Sequence, residues 1–377
     1  MKPKFRFAEK ALQKIKKENL YRQLRYGRVC GPHITIGKKK LLNLCSNDYL
    51  GLSARSPIHI QMQSSSRSVS GNDILFKDLE DKLASHKSQR GALVFPTGYM
   101  ANLGAVSALA GNEDLILSDE LNHASIIEAC RLCRAKTLVY KHNDTDDLLK
   151  KIKSNSAKTK FVITEGIFSM DGDYARLDEI AEITEKCGAV LMVDDAHGDF
   201  AVGDDGKGTA HLFGVAKKVD VYTSSLSKAL GSFGGYVASE KSAIDLCVNR
   251  ARSFIYTSAL PAFLADASLR RLSLDRTPNQ KKLQKNAFRL REGLKKSGYA
   301  INTKTHIVPL IIGDEKKTLE FGRYLYENGV FAQPIRYPTV PKKSARIRVS
   351  VTARLTDTQI ENALDVFERA GRKFRAF

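Results

Sequence analysis

The sequence predicts an α/β protein, with a large domain built on a mostly parallel sheet flanked by helices and a smaller α+β domain. From about residue 70, short apolar runs alternate with segments of helical periodicity. The 377 residues, 42% of them hydrophobic, suffice for one large core and a smaller one. Polar residues suited to cofactor chemistry follow several apolar runs, and ligand sites in parallel sheets gather at the carboxyl ends of strands.

The N-terminal region predicts a helix and two short strands. Residues 5–26 carry apolar side chains near helical spacing, which indicates an amphipathic helix. The apolar pieces Ile34–Ile36 and Leu41–Leu44 follow, and glycine and proline bound the first of them.

The alternating region predicts the large domain. Its expected helices are Asp78–His86, Met100–Ala110, Ser125–Cys133, Asp146–Lys153 and Leu177–Cys187. Its expected strands are Ala92–Phe95, Leu115–Leu117, Thr137–Tyr140, Lys160–Thr164, Ala189–Val193, Val219–Thr223 and Gly235–Ala238.

The C-terminal region predicts a smaller α+β domain. Residues 262–300 have a long helical pattern that we expect to break near Pro278. Strands Ile307–Ile312, Val330–Gln333 and Arg346–Val351 should alternate with helices Lys317–Asn328 and Asp357–Gly371. We predict an N-terminal arm (1–45) that forms part of the small domain, a large domain (46–270) and a small domain (271–377).

The composition and the charge distribution indicate which kinds of partner to expect. The formal net charge is +20, but the basic residues are spread along the chain and form no recognisable nucleic-acid module, so we expect no nucleic-acid partner. Part of the charge could attract an anionic substrate such as an acyl-coenzyme A. No run reaches the ~20 apolar residues of a membrane span, and we expect no membrane association.

The cysteines and the N-terminus favour a cytoplasmic location. The six cysteines are scattered, which suits a reducing compartment. Cys130 and Cys133 form a CxxC pattern within a helical segment, and we interpret them as buried thiols rather than metal ligands. The charged start Met1–Arg6 lacks the apolar stretch of a secretory signal.

Two predicted strand ends carry the types of side chain that a pyridoxal 5'-phosphate (PLP) site needs. Lys228 follows one apolar run, whereas Asp194 and His197 follow another. A lysine can form a Schiff base, an aspartate can keep the pyridine nitrogen protonated, and a histidine can lie beside the ring. The alternatives are that Asp194 and His197 cap the next helix and that Lys228 is an ordinary surface lysine.

Other strand-to-helix junctions could complete this site. The turn Pro96–Asn102 leads into a helix whose first amides could bind phosphate, and Gly98 permits close approach. The hydroxyls of Ser225 and Ser227 could also contact phosphate. His123 opens another helix, where it could stack on the ring or make only local hydrogen bonds.

Arginines in the C-terminal region could hold carboxylates. Arg346 and Arg348 share one face of a strand, so spacing alone does not choose between them. Arg336 lies in a proline-rich turn upstream.

Four segments resemble the α-oxoamine synthases, a family of PLP-dependent transferases with the type I fold. They are Ser46–Ser53, Thr164–Gly172, Val193–Gly198 and Tyr337–Pro341, and the similarity covers residues 43–364. The resemblance implies that Lys228 is the Schiff-base lysine and catalytic base. It also implies roles for other positions, namely Asp194 at the pyridinium nitrogen, His197 and Ser169 at the phenolic oxygen, His123 on the ring, and Gly98, Tyr99 and Ser225 at the phosphate.

The resemblance also implies a homodimer and a carboxylate site. Ser258 is similar to a residue that reaches the phosphate of the partner subunit. Asn47 and Arg348 resemble the residues that bind the amino-acid carboxylate. We expect His197 and His123 to polarise or protonate the acyl oxygen during catalysis.

The acyl donor is suggested by two segments. Phe254–Pro261 and Ile335–Pro341 most resemble the family member that condenses L-alanine with a pimeloyl thioester, carried on coenzyme A or on acyl carrier protein. Arg336, assisted by Arg22, would meet the far carboxylate of the pimeloyl chain. The alternatives are a sister enzyme that uses glycine and a short acyl-coenzyme A, and a non-catalytic basic binding protein on the same fold.

Two departures from the family pattern concern the region around residue 60. The segment between Ser53 and Gly71 is short and contains Gln63–Arg67 where a glycine-rich stretch is expected. Phe76 occupies the position of a family histidine. We expect these changes to affect acyl specificity or the dimer contact more than the cofactor site.

Overall fold

The chain forms two compact units in a computed structural model. The structure describes residues 6–17, 21, 26–30, 33–42, 64–330 and 332–377. The first unit comprises Met1–Gly166 and Arg176–Leu274, and the second comprises Ile167–Ala175 and Asp275–Phe377. The loop 167–175 therefore groups with the C-terminal unit although its flanking residues belong to the first.

A seven-stranded sheet organises the first unit. Its strands are β4 (Gly91–Phe95), β5 (Leu115–Asp119), β6 (Lys136–Tyr140), β7 (Lys160–Glu165), β8 (Val190–Asp194), β9 (Val221–Ser225) and β10 (Gly235–Ser239). The order across the sheet is β4-β10-β9-β8-β7-β5-β6, with parallel pairing from β9 to β6 and antiparallel pairing of β10 with both neighbours. Strands β5, β8, β9 and β10 are buried along their whole length, as expected for central strands covered on both faces.

Helices of the first unit connect these strands and pack on the sheet. They are α1 (Arg6–Lys17), α2 (Ile74–His86), α3 (Gly98–Leu109), α4 (Ala124–Leu132), α5 (Thr145–Ser154), α6 (Leu177–Lys186), α7 (Thr209–Leu212), α8 (Lys241–Arg250), α9 (Arg252–Ile255) and α10 (Ala262–Leu272). The small apolar residues of α3 allow it to pack closely, and Ala101 and Ala105 are fully buried in the core. Alternation of strand and helix thus confirms the predicted α/β class.

A small antiparallel sheet precedes this region. Its strands are β1 (Gly27–Cys30), β2 (His33–Ile36) and β3 (Lys39–Leu42), in the order β1-β2-β3. Helix α1 packs on the first unit, where Ala8 and Leu12 are buried in the same hydrophobic cluster as Phe161. The division of the N-terminal region between domains stays a prediction.

The second unit contains a three-stranded antiparallel sheet and three helices. Its elements are α11 (Thr277–Lys296), β11 (Ile307–Gly313), α12 (Glu315–Glu327), β12 (Gln333–Ile335), β13 (Ala345–Ser350) and α13 (Asp357–Phe374), with strand order β11-β13-β12. Helix α13 begins with a capping box in which Thr356 and Gln359 satisfy each other's backbone N–H groups. Its apolar face buries Ile360, Phe367 and Ala370 in a core separate from that of the first unit.

Some element boundaries agree with the sequence predictions, and others differ from them. Helix α1 spans Arg6–Lys17 within the predicted range 5–26, and the described Tyr21 and Tyr26 are not helical. The predicted break near Pro278 is present, since α10 ends at Leu272 and α11 begins at Thr277; Pro278 stands in the first turn of α11, where its missing N–H costs nothing. Strand β12 begins at Gln333, three residues beyond the expected start. Over the residues that are described, no helix combines the length and apolarity needed to cross a bilayer.

Candidate active site

The lysine and histidine predicted for the cofactor site meet at neighbouring strand ends. Strands β8 and β9 are parallel neighbours, and Asp194 at the end of β8 is in register with Thr223 of β9. Lys228 follows β9 by three residues, and its Nζ lies 3.0 Å from Nε2 of His197. At this distance the amine and the imidazole can share a proton. The Lys228 side chain lines the cavity and is exposed in the single chain.

The Asp194 carboxylate is held in place by two donors. It is only 6% exposed. The Asn102 amide donates to Oδ2 at 2.6 Å, and the Ala196 backbone N–H donates to Oδ1 at 3.0 Å. These hydrogen bonds fix the orientation of the carboxylate, which could then face a protonated ring nitrogen.

A cavity of about 230 Å³ joins these groups to the start of helix α3. Thr97 caps this helix by accepting a hydrogen bond from the Met100 N–H at 3.1 Å. Gly98 is the first residue of the helix, and a Cβ there would lie 3.2 Å from Cβ of Ser225. The glycine therefore keeps the helix start open beside the Ser225 hydroxyl, and together they form a suitable anion site.

His123 lines the same cavity at the N-cap of α4. Its Nδ1 accepts a hydrogen bond from the Ser125 backbone N–H at 3.2 Å and lies 2.7 Å from the Ser125 hydroxyl. The ring keeps an exposed face, yet partial burial lowers the pKa of His123, while Asp194 acts to raise it and Lys228 to lower it further. His123 is therefore neutral near pH 7.

A buried ion cluster supports the turn that carries Asp194 and His197. Within this turn, the Asp199 N–H donates to the Asp195 carbonyl at 2.7 Å. The Lys87 ammonium lies 3.0 Å from a carboxylate oxygen of Asp195 and 2.7 Å from one of Asp199, and all three side chains are inaccessible. Asp194 thus lines the cavity and His197 contacts Lys228, while the Asp195 and Asp199 carboxylates hold the same turn in place through Lys87.

The second unit holds the arginines and Ser169. The Arg346 guanidinium donates to the Asp171 carboxylate at 2.6 Å and to the Met170 carbonyl at 3.2 Å. Arg348 donates from Nε to the Ser169 carbonyl at 2.5 Å and is only half-buried. Both arginines are thus engaged in the fold of their own unit, since Arg348 also donates to the Ser350 hydroxyl at 2.7 Å, and Arg348 is the more accessible of the two.

The remaining predicted site residues lie elsewhere or outside the described part of the chain. Arg336 is exposed in the turn after β12, and Ser258 is exposed after α9. Tyr99 lines the cavity and its ring packs edge-on against that of His123, with centroids 6.2 Å apart. Asn47 and Arg22 lie outside the described residues.

Sequence reasoning missed Asn102, Glu165 and Lys87. Asn102 and Glu165 both line the cavity. A signal was present for Asn102, since its amide is a polar group among the small apolar residues of helix α3, and for Glu165, since it ends strand β7. Nothing in the sequence distinguished Lys87 from the many other lysines.

Arg67 and Phe76, which belong to the two departures from the family pattern, are both buried. Phe76 is fully buried, and the Arg67 guanidinium stacks 4.4 Å from the centroid of its ring. Arg67 also pairs with Glu80 at 2.5 Å and donates to Asn72 Oδ1 at 2.7 Å. These residues stabilise the start of α2.

The CxxC pair has no metal or redox geometry. The Cys133 thiol donates to the Cys130 carbonyl at 3.1 Å, and burial raises the pKa of Cys130 to about 12. Both thiols are therefore protonated and unreactive near pH 7. In the described portion of the chain, no group of three or more metal-ligating side chains is present.

The cavity fits PLP by the chemistry of its donors. An open helix start and a serine hydroxyl suit a phosphate, the Asp194 carboxylate suits a protonated ring nitrogen, and the Lys228 amine suits an aldehyde. A side chain at position 98 would fill the space beside Ser225.

Comparisons with known proteins agree with this fold and donor set. The family model "Aminotransferase class I and II" matches residues 39–367. Serine palmitoyltransferase from S. paucimobilis, in a structure with bound PLP and myriocin, has a TM-score of 0.81 and 28% identity over 99% of both chains. The chain thus has the fold of the PLP-dependent transferases and belongs to the class I and II aminotransferase family.

Sequence relatives narrow this class. The 8-amino-7-oxononanoate synthase of Thermoanaerobacter pseudethanolicus is 40% identical over 97% of both chains. That of Geotalea daltonii is 40% identical over 96% of this chain and 97% of its own. A crystal structure of the same enzyme from Francisella tularensis has a TM-score of 0.72 and 26% identity, covering 88% of this chain and 98% of that one. Within the larger family, the chain belongs with the 8-amino-7-oxononanoate synthases.

Proposed function

We propose that the protein condenses L-alanine with a pimeloyl thioester to give 8-amino-7-oxononanoate, carbon dioxide and the free thiol carrier. A carbon–carbon bond forms between alanine Cα and the acyl carbon, while the thioester C–S bond and the bond from Cα to its carboxylate break. The observation that supports this reaction best is the convergence of Lys228, His197 and Asp194 at adjacent strand ends, in a chain 40% identical to synthases of this name.

The cofactor is PLP, as in the solved serine palmitoyltransferases of this fold. When bound, PLP supplies an electron sink that stabilises negative charge at the amino-acid Cα. Lys228 would attach it, the Asp194 carboxylate would face its ring nitrogen, and His123 would lie against the ring. The amides of Gly98 and Tyr99 and the Ser225 hydroxyl would bind its phosphate, and Ser169 and His197 its phenolic oxygen.

Lys228 and His197 are placed to move protons. The free Lys228 amine would remove the proton from alanine Cα, because Lys228 lines the cavity and its amine is a base. His197 Nε2, 3.0 Å away, would accept a proton from the ammonium or deliver one to the acyl oxygen. The same lysine would finally return a proton to Cα after carbon dioxide has left.

Substrate recognition would depend on arginines and one asparagine. We assign the alanine carboxylate to Arg348 and Asn47, because a guanidinium binds a carboxylate through two parallel hydrogen bonds. Arg336 and Arg22 would bind the distal carboxylate of the pimeloyl chain. The acyl group would arrive on coenzyme A or on acyl carrier protein, and the basic surface would attract either anionic carrier.

We further propose that the protein works as a cytoplasmic homodimer. Ser258 is exposed in the single chain, as is the neighbouring Tyr256, with 69% of its surface accessible. A partner subunit covering this segment would bring Ser258 to the second phosphate site. Mass measurement by light scattering should give about twice the 41.8 kDa of one chain.

Product identification by mass tests the reaction. Protein loaded with PLP is mixed with L-alanine and pimeloyl-coenzyme A, and the same mixture is prepared with glycine and acetyl-coenzyme A, and with serine and palmitoyl-coenzyme A. We expect 8-amino-7-oxononanoate and stoichiometric carbon dioxide from the first mixture. Product formed faster from either of the other pairs would contradict the assignment, and pimeloyl-acyl carrier protein in place of the coenzyme A thioester distinguishes the carriers.

A further inference from the structure

Asn102 lines the cavity and connects two residues of the proposed PLP site. It is 2% exposed and lies in the second turn of helix α3. Its amide nitrogen donates to Asp194 Oδ2 at 2.6 Å and to the Ser125 hydroxyl oxygen at 2.9 Å, and its amide oxygen accepts from the Thr223 hydroxyl at 2.6 Å. Both N–H groups and the oxygen of this amide are therefore hydrogen-bonded.

The orientation of the Asn102 amide follows from its partners. The Asp194 carboxylate can only accept, so the atom 2.6 Å from it must be the NH2 nitrogen. Reversing the amide would place its oxygen against a carboxylate oxygen and its NH2 group against the Thr223 hydroxyl. The hydroxyl proton of Thr223 consequently points to Asn102 Oδ1.

The direction of the next hydrogen bond is then determined. Since the Ser125 oxygen accepts from Asn102, its own proton is available for His123 Nδ1, which lies 2.7 Å away. The Ser125 backbone N–H, at 3.2 Å, donates to the same nitrogen. Two donors thus converge on Nδ1 of His123, which must carry a lone pair, and the single ring proton of the neutral imidazole is on Nε2.

We infer that Asn102 is a positioning residue that orients the Asp194 carboxylate and, through Ser125, holds His123 as the neutral tautomer protonated on Nε2. This inference rests on the proposed function, which assigns Asp194 and His123 to PLP. It adds that His123 presents an N–H donor at Nε2, which suits it to hydrogen-bond an acyl oxygen. Asn102 itself would touch neither substrate.

The tautomer can be read directly by nitrogen-15 NMR. The full-length, PLP-loaded protein is labelled at histidine, and the His123 signals are assigned by their loss in His123→Gln. We expect Nδ1 to have the shift of an unprotonated nitrogen and Nε2 that of a protonated one. A protonated Nδ1 would overturn the inference. No amino acid or acyl donor is present, so this outcome is independent of the reaction that the enzyme catalyses.

A double-mutant cycle tests whether Asn102 acts through Ser125. Asn102→Ala should weaken PLP binding about tenfold, because the Asp194 carboxylate loses a charged hydrogen bond. It should also shift the His123 nitrogens toward the values of exchanging tautomers, and Ser125→Ala should cause the same shift with a smaller loss of PLP affinity. In the Ser125→Ala background, Asn102→Ala should leave the His123 nitrogens where they are.

A further His123 shift in the double variant, equal to that in Asn102→Ala alone, would show that the residues act independently. Should Asn102→Ala fail to fold by circular dichroism, Thr223→Val provides the milder change, since it removes only the donor to Asn102 Oδ1. We expect Thr223→Val to shift the His123 nitrogens in the same direction, and Thr223→Ser, which keeps the hydroxyl, to restore the wild-type spectrum. Identical spectra for Thr223→Val and Thr223→Ser would contradict the relay.

Discussion

The Lys87 ammonium lies 2.7 Å from an Asp199 carboxylate oxygen, and neither side chain has any surface exposed to solvent. Burial disfavours the charged ammonium, but Asp195 and Asp199 more than offset this effect, so the pKa of Lys87 is raised. The pair also lies against Gly208, where a Cβ would meet the Asp195 carboxylate. The buried ion pairs of Lys87 with Asp195 and Asp199 therefore stabilise the turn that carries Asp194 and His197.

Replacing Lys87 by methionine should destabilise the protein by about 3–5 kcal/mol, because two carboxylates would be left buried without their cation. Urea unfolding of the PLP-free and PLP-loaded forms measures the loss. Lys77→Met is the matched control, since Lys77 pairs with Asp81 on the exposed surface of α2. Equal stability of the two variants would contradict a structural role for the cluster.

Replacing Lys228 by alanine should abolish covalent attachment of PLP, because the amine that reacts with the aldehyde is removed. The variant should lose absorbance near the visible edge and should incorporate no cofactor after borohydride reduction, as determined by peptide mass spectrometry. Lys217→Ala, which removes an exposed lysine, should label like the wild type. Retained labelling at an unchanged spectrum in Lys228→Ala would refute the assignment.

Gly98→Ala should weaken PLP binding about tenfold with little change in stability, because the added methyl group would crowd Ser225 at the phosphate site. Equilibrium dialysis with PLP gives the affinity. Gly111→Ala is a suitable control, since the nearest atom to a Cβ there is Asp114 Oδ2 at an ordinary 3.8 Å. Similar affinities for both variants would place the phosphate elsewhere.

Arg348→Ala should raise the dissociation constant for L-alanine by about 10- to 100-fold, since a charge-assisted contact to the substrate carboxylate is lost. Arg346→Ala should instead lower the urea midpoint, because it leaves Asp171 without its 2.6 Å ion pair. Alanine titration followed by cofactor absorbance, together with urea unfolding, distinguishes the two. The reverse pattern would assign the substrate contact to Arg346.

His306 should make the second unit sensitive to mild acid. Burial lowers its pKa to about 4, and the nearby Arg348 and Arg291 charges act in the same direction. The unfolded histidine binds a proton near pH 6.5, so between pH 6.5 and 4 the unfolded state holds more protons and stability falls as the pH is lowered.

Urea unfolding at pH 6.5 and pH 5, followed on peptides of the second unit, measures this effect. The wild type should lose about 2 kcal/mol more than His306→Gln over that interval. Equal losses in both proteins would show that His306 titrates normally in the folded state.

Much of the fold followed from the residue pattern, with characteristic exceptions. Apolar runs separated by helical segments closely predicted the positions of the strands in the large sheet, for example Lys160–Glu165. The reversed direction of β10 did not follow from its sequence, because a fully buried apolar strand reads alike in either direction. The helix break near Pro278 did follow from the sequence, because a proline fits the first turn of a helix but not its interior.

The sequence by itself determined the chemistry of the site. Lys228, Asp194 and His197 each follow an apolar strand, and parallel strands bring their carboxyl ends to one edge of a sheet. Only the tertiary structure decided what supports those groups. Lys87 bonds to Asp195 at a sequence separation of 108 residues, and Asn102 bonds to Thr223 at a separation of 121. Such contacts form only when distant segments of the chain pack together. Local periodicity reports which face of an element is buried, whereas the partner on that face depends on how distant segments pack.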